Sequence, residues 1–212
     1  MEKKILSVNA DGEAVVKPVD GREQFVSSGV SGVSGNRAIA FLLVDTSGSM
    51  FGEGIAQVKQ GVLDFARTAI AKNYCVGLIK FDSYAVLLCE PTTSFSRIQA
   101  KVGELEAFGG TCMAPALAIA SQKLLGCRAH RLILLATDGG PHDPVECLRI
   151  AERMKKDGIE ILAIGTTDAN WEFLSKLVSR KDLNLKVEGN QFRKGMDALA
   201  RKLPTHLLED KT

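Results

Sequence analysis

The run Ala38 to Val44 is apolar throughout and breaks off into Asp45-Thr46-Ser47-Gly48-Ser49. A short stretch with no polar face reads as a strand buried on both sides, which belongs in the middle of a parallel sheet covered by helices. The loop after it holds a carboxylate (Asp45) and two hydroxyls (Ser47, Ser49) at alternate positions. Ligands in open α/β sheets bind at the carboxyl ends of such strands. The stretch therefore predicts a fold class and a place to hold a hard divalent cation.

The rest of the chain alternates in the same style. Ile55, Val58, Val62, Phe65, Ala66 and Ala69 recur at helical spacing, predicting a helix to about Lys72. Cys75–Phe81 and Ala85–Cys89 read as strands, and the Asp82-Ser83-Tyr84 link is too short for a crossover, so they form an antiparallel hairpin. Helices follow over Ser96–Leu105, with Ser94 or Ser96 as cap, and over Ala114–Leu125, with Pro115 in its first turn. Arg131–Ala136 is a further buried strand, ending in Thr137-Asp138-Gly139-Gly140. A helix opened by Asp143-Pro144 and stopped by Gly158 precedes the strand Ile159–Ile164. Trp171–Val178 reads as a helix, Leu185–Val187 as a short strand and Gln191–Leu203 as the last helix. The whole is α/β: a doubly wound, mostly parallel central sheet with one antiparallel edge strand and helices on both faces.

Residues 1–36 stand apart as an N-terminal arm. Ile5–Val8 and Ala14–Lys17 are candidate strands, and the Gly/Ser-rich Ser27–Asn36 is a linker. Residues 37–203 form the domain and 204–212 a polar tail that frays. In such a tail His206 has no specific task.

Bulk composition narrows the function. A net charge of +2 and 6% aromatic residues give no basic patch or stacking surface for nucleic acid. No apolar run is long enough for a bilayer, and the first residues carry no signal-peptide core, so a cytoplasmic protein without membrane contact is expected. The five cysteines are odd in number and lack CxxC spacing; they read as free thiols, with Cys112 set apart by its neighbour Thr111.

The candidate ligands are Asp45, Ser47, Ser49, Thr111 of the Phe108-Gly109-Gly110-Thr111 loop, and Asp138. If the strands before Asp45 and Asp138 are neighbours, the two carboxylates converge at the switch point of the sheet, and the Thr111 loop reaches the same edge. An all-oxygen set suits Mg²⁺ or Mn²⁺ better than zinc or copper. Gly48 and Gly109-Gly110 allow a tight loop and close backbone approach. Asp82 and Asp143 read as a turn residue and a helix cap, Thr137 as a structural hydroxyl beside the site, His142 as an exposed loop residue and Trp171 as packing.

DTSGSM after an apolar strand, a Gly-Gly-Thr loop, and a strand ending in Thr-Asp-Gly together resemble the von Willebrand factor A domain and its metal-ion-dependent adhesion site. The DxSxS motif of that family falls on Asp45, Ser47 and Ser49, its separate threonine on Thr111, and its later aspartate on Asp138. The likeness covers about Arg37 to Leu203 and extends to the bacterial cytoplasmic branch that includes the tellurite-resistance proteins. It implies a Rossmann-like fold and a site whose serines and threonine bind Mg²⁺ or Mn²⁺, the aspartates often through water. An Asp or Glu of a partner protein then completes the coordination. The expected function is a metal-dependent protein-binding module, not an enzyme. Two alternatives stand beside it. A Mg²⁺-dependent phosphatase or phosphotransferase would want a second aspartate where Ser47 stands, and Gly109–Pro115 lacks the Lys-Ser/Thr ending of a P-loop. A scaffold that keeps the fold without using metal would have no need of all five residues. The arm could also cover the site in cis with Glu13, Asp20 or Glu23.

Overall fold

The computed structural model describes residues 15–16, 37–188 and 191–206. The expected strand at Ile5–Val8, the Ser27–Asn36 linker and the acidic residues proposed to act in cis lie outside the described residues.

The chain runs β1 (Val15–Val16), β2 (Ala38–Asp45), α1 (Glu53–Ala71), β3 (Tyr74–Phe81), β4 (Ala85–Thr92) and α2 (Phe95–Gly103). It continues through α3 (Met113–Leu124), β5 (Arg131–Thr137), α4 (Pro144–Lys156), β6 (Ile159–Thr166), α5 (Trp171–Leu177), β7 (Asn184–Val187) and α6 (Phe192–Lys202). The strands form one sheet in the order β1-β4-β3-β2-β5-β6-β7. β2 pairs in parallel with β3 on one side and β5 on the other, and β6 and β7 extend the parallel part. β4 is antiparallel to β3, as the short hairpin link requires, and the two-residue β1 pairs antiparallel outside it.

All eight residues of β2 are buried, because helices cover both faces of the strand. Ala38, Ala40, Leu42 and Val44 face the layer of α1, α2 and α6; Ile39, Phe41 and Leu43 face α3, α4 and α5. The packing leaves no room at Gly77, where a Cβ would lie 2.3 Å from the Phe41 ring. The capping alternatives resolve in favour of Ser94, whose hydroxyl accepts from the Arg97 N–H of α2. Asp143 caps α4 and Gly158 ends it at φ +76°. Among the described residues no helix is long and apolar enough to cross a membrane.

At the amino ends of the parallel strands the structure corrects one expectation. His206 is not idle: its Nε2 lies 3.0 Å from the Tyr74 hydroxyl, and its ring stacks on His130. Tyr74 opens β3 and His130 precedes β5; the hydroxyl of the buried Tyr74 lies 3.1 Å from His130 Nδ1, and the tail gives it a second partner. The other edge, at the carboxyl ends, carries the residues singled out for metal.

Candidate metal centre

β2 ends at Asp45, paired with Phe81 of β3, and its other neighbour is β5, with Val44 opposite Ala136. Asp45 and Thr137 are fully buried, and Asp138 is the first residue beyond β5. The two aspartate loops therefore leave adjacent parallel strands at the switch point, since the chain passes from β2 to β3 on one side and reaches β5 on the other.

Backbone hydrogen bonds hold three loops together. Thr46 N–H donates to the Phe81 carbonyl at 2.8 Å, fixing the turn out of β2 against β3. The Phe108 N–H donates to the Thr46 carbonyl at 2.7 Å and the Gly48 N–H to the Gly109 carbonyl at 3.0 Å, joining the Asp45 loop to the glycine loop. His142 N–H donates to the Thr111 carbonyl at 3.1 Å, tying the glycine loop to the segment that follows Asp138. Gly109 takes φ +78° against Ser83, a conformation and an approach that a side chain would oppose. Gly48 is different from its sequence reading. Its φ is not in the left-handed region, and a Cβ there would make an ordinary 3.5 Å contact with the Gly109 carbonyl.

The side chains converge on this frame. Asp45 Oδ1 accepts from the Ser47 N–H at 2.8 Å and Oδ2 from the Thr137 hydroxyl at 2.5 Å. The Ser47 and Ser49 hydroxyls are 3.0 Å apart, and the Ser49 hydroxyl donates to Asp138 Oδ1 at 2.8 Å. Four of the five expected ligands thus form one hydrogen-bonded chain; Thr111 stands on the adjoining glycine loop, bonded through its carbonyl to His142 and not to the other four. Asp45 and Ser47 are buried, Thr111 and Asp138 half-buried and Ser49 exposed, so the cluster opens to solvent on one side.

Burial pushes the Asp45 carboxyl up to about 6; hydrogen bonds from Ser47 and Thr137 pull it back, and the nearby Asp138 charge pushes it up again. Among the described residues none of the groups acting on Asp45 is a cation. A carboxylate taken out of water without a counter-charge is costly, and a divalent ion is what this donor set can accept. Among the described residues no group of three or more His, Cys, Asp or Glu stands ready for a metal. The cluster has only two carboxylates and depends on hydroxyls, which is the chemistry of a hard cation. Cys112 and His142 lie beside it, Sγ to Nδ1 3.9 Å, but burial and then Asp82 hold the Cys112 thiol above its usual range, away from the reactive thiolate.

Thr137 has the structural role expected of it. Asp82 does more than make a turn. It accepts from the Tyr84 N–H at 3.3 Å and from the Thr46 hydroxyl at 3.4 Å, and its carbonyl accepts from the Cys112 N–H at 2.6 Å. Ser83 Oγ accepts from the Gly110 N–H at 3.0 Å. The signal that could have revealed both is topological: β3 runs parallel to β2, so its turn begins at the same edge.

The profile of the von Willebrand factor type A domain matches residues 39–196. No curated protein matches the chain by sequence. Among solved structures, the pilus adhesin SpaC from Lactobacillus rhamnosus GG superposes with a TM-score of 0.68 at 17% identity over 89% of this chain and 32% of its own. Proximal thread matrix protein 1 from the mussel byssus, solved with a zinc-occupied MIDAS motif, gives 0.67 at 16% identity over 78% of this chain and 46% of its own. A von Willebrand factor type A structure from Catenulispora acidiphila gives 0.65 at 20% identity over 79% and 42%. The chain thus spans less than half the length of each of these three proteins. At such identities the structures speak for the fold, and the sequence profile for the family: this chain belongs to the von Willebrand factor type A domain family.

Proposed function

We propose that the chain is a metal-dependent protein-binding module. Asp45, Ser47, Ser49, Thr111 and Asp138 would hold Mg²⁺ or Mn²⁺, and an Asp or Glu of another protein would take the position left open toward solvent. The observation that carries this reading is Asp45: a fully buried carboxylate, drawn up by burial, held by hydroxyl and amide donors and answered by no cation among the described residues. The ion supplies a positive centre that an incoming carboxylate can meet. The chain's own residues orient the donors, exclude water from the Asp45 side and leave the Ser49 side accessible.

The zinc-occupied motif of the mussel protein supports a metal at this edge, and the adhesin supports a binding role for the fold. The all-oxygen donors here favour Mg²⁺ or Mn²⁺. The reading includes no catalysis, because a phosphoryl-transfer centre of the two-aspartate kind would need a carboxylate at Ser47. We place the module in the cytoplasm, supported by its free thiols, and take residues 37–203 as its body, supported by a profile match that begins at residue 39, with Val15–Val16 of the N-terminal arm adding the edge strand β1.

Calorimetric titration with Mg²⁺ and with Mn²⁺ tests the reading. Saturable uptake by the wild-type chain is expected, weakened by about tenfold or more in Thr111→Ala and in Asp45→Ala, the scale on which loss of one donor weakens a site. Absence of uptake, or uptake unchanged in both variants, would leave the metal-independent scaffold as the better account.

A further inference from the structure

The large apolar side chains exposed among the described residues are Phe51 (81%), Phe108 (80%), Val145 (78%) and Leu125 (53%). Leu125 follows α3, at the far end of that helix from the glycine loop. The other three share one edge of the molecule. Phe51 closes the turn that begins at Gly48, its N–H donating to the Gly48 carbonyl at 3.2 Å. Phe108 precedes Gly109, and its N–H holds the Thr46 carbonyl. Val145 lies in the first turn of α4, three residues past His142, which is bonded to Thr111. The same three segments bury Met50, Leu105 and Cys147, so exposure is not the fate of every hydrophobe there.

Each exposed apolar residue has an exposed acid two positions away: Glu53, Glu106 and Asp143. Together with the two carboxylates of the centre they make the edge acidic. A ring of apolar side chains around a polar centre is the layout of a protein interface, in which large anchors exclude water from a few polar contacts. An anionic lipid surface would be repelled by the acids.

From this arrangement we propose that Phe51, Phe108 and Val145 form a docking rim around the metal centre. Its partner is a protein segment that presents one carboxylate between large apolar side chains and carries no second acid close by. This rests on the metal-dependent reading above. The metal answers the one carboxylate, the rim buries its apolar neighbours, and Glu53, Glu106 and Asp143 reject further negative charge.

The test uses the full chain, immobilised in Mg²⁺ and offered a displayed library of random peptides of roughly 12 residues, a length that covers such a rim in extended form. Bound clones are eluted with EDTA. The expected sequences carry a single Asp or Glu with Leu, Ile, Phe or Met close on either side and are depleted in second acids. The best of them, as a synthetic peptide, should bind the Phe51→Ser/Phe108→Ser variant about tenfold or more weakly, the scale of exposing a buried aromatic anchor. Both positions are exposed, so the variant should fold, and its Mg²⁺ uptake should match the wild type. EDTA-eluted sequences with an acid but no apolar enrichment, or equal affinity for the double variant, would overturn the rim and leave the metal reading standing. So would the absence of any EDTA-eluted sequence from a wild type that takes up Mg²⁺. Absence of Mg²⁺ uptake itself would overturn both.

Discussion

At Asp45 the fold and the metal make opposite demands. The side chain is fully buried, and its carboxyl is drawn up to about 6 by that burial, so above this pH the folded protein holds a charge it would rather shed. The sign follows: a carboxyl whose folded value lies above its unfolded value destabilises the fold once pH rises past both. Asparagine has the same shape and no charge. Its carbonyl can accept from the Ser47 N–H, and its amide can donate to the Thr137 hydroxyl, which Thr137 now offers to Asp45 at 2.5 Å. Asp45→Asn should therefore leave the metal-free protein as stable as wild type or more stable, by about 1–3 kcal/mol at pH 7.5, the scale of a shift of this size. It should also abolish the rise in melting temperature that Mg²⁺ gives the wild type. Thermal melts with and without Mg²⁺ check both halves; a variant that is less stable without metal would mean that Asp45 is held for the fold alone.

The end of α6 shows how an element can be secured by a group on another. Lys72, just past α1, donates from Nζ to the carbonyls of Arg201 at 2.6 Å and Leu203 at 2.5 Å, capping the last turn of α6. Asn73, at φ +67°, donates from its amide to the His206 carbonyl at 2.6 Å, and His206 N–H donates to the Lys72 carbonyl at 3.1 Å. The His206 ring then meets Tyr74 of β3 and stacks on His130, whose Nε2 lies 3.3 Å from Glu160 of β6; Arg180 approaches the other Glu160 oxygen at 3.6 Å. Burial, and then His130, hold the His206 imidazole below its ordinary value, so the unfolded chain takes up the proton first as pH falls below about 6.5. Glu160 is held below its ordinary value, chiefly by the hydrogen bond from His130, so it stays ionised and its contribution is lost only in more acid solution. Between pH 7.5 and 5.5 protonation of Asp45 works the other way in both proteins, so the test is the difference: the wild type should lose melting temperature relative to His206→Gln, which keeps a hydrogen-bonding group but does not titrate. Equal slopes would show that the histidine does not set this response.

Across the whole molecule, the elements that were legible in the sequence are those whose burial pattern is extreme. β2 and β5 are apolar on both faces, so their place in the middle of the sheet could be read directly, and with it the convergence of Asp45, Ser47, Ser49 and Asp138 at one edge. What could not be read depends on long-range pairing. Asp82 became part of the loop frame because β3 lies beside β2, and His206 found Tyr74 across a separation in the chain of 132 residues. Neither bond leaves a local pattern. The two finished clusters lie at opposite ends of strands of seven or eight residues, about 20–27 Å apart at the usual rise. The loops at the metal edge are bonded to β3, the glycine loop and the turn after β5, and in none of those bonds does α6 or the tail take part. Truncation after Leu203 should therefore lower the melting temperature, by removing one of the two partners of the Tyr74 hydroxyl, and leave the Mg²⁺ dissociation constant within about twofold of wild type, as expected of sites that far apart without shared partners. Calorimetry on the truncated chain decides it. A larger change in Mg²⁺ affinity would mean that α1, which begins beside the Ser49 loop and ends just before Lys72, carries strain from one edge of the sheet to the other.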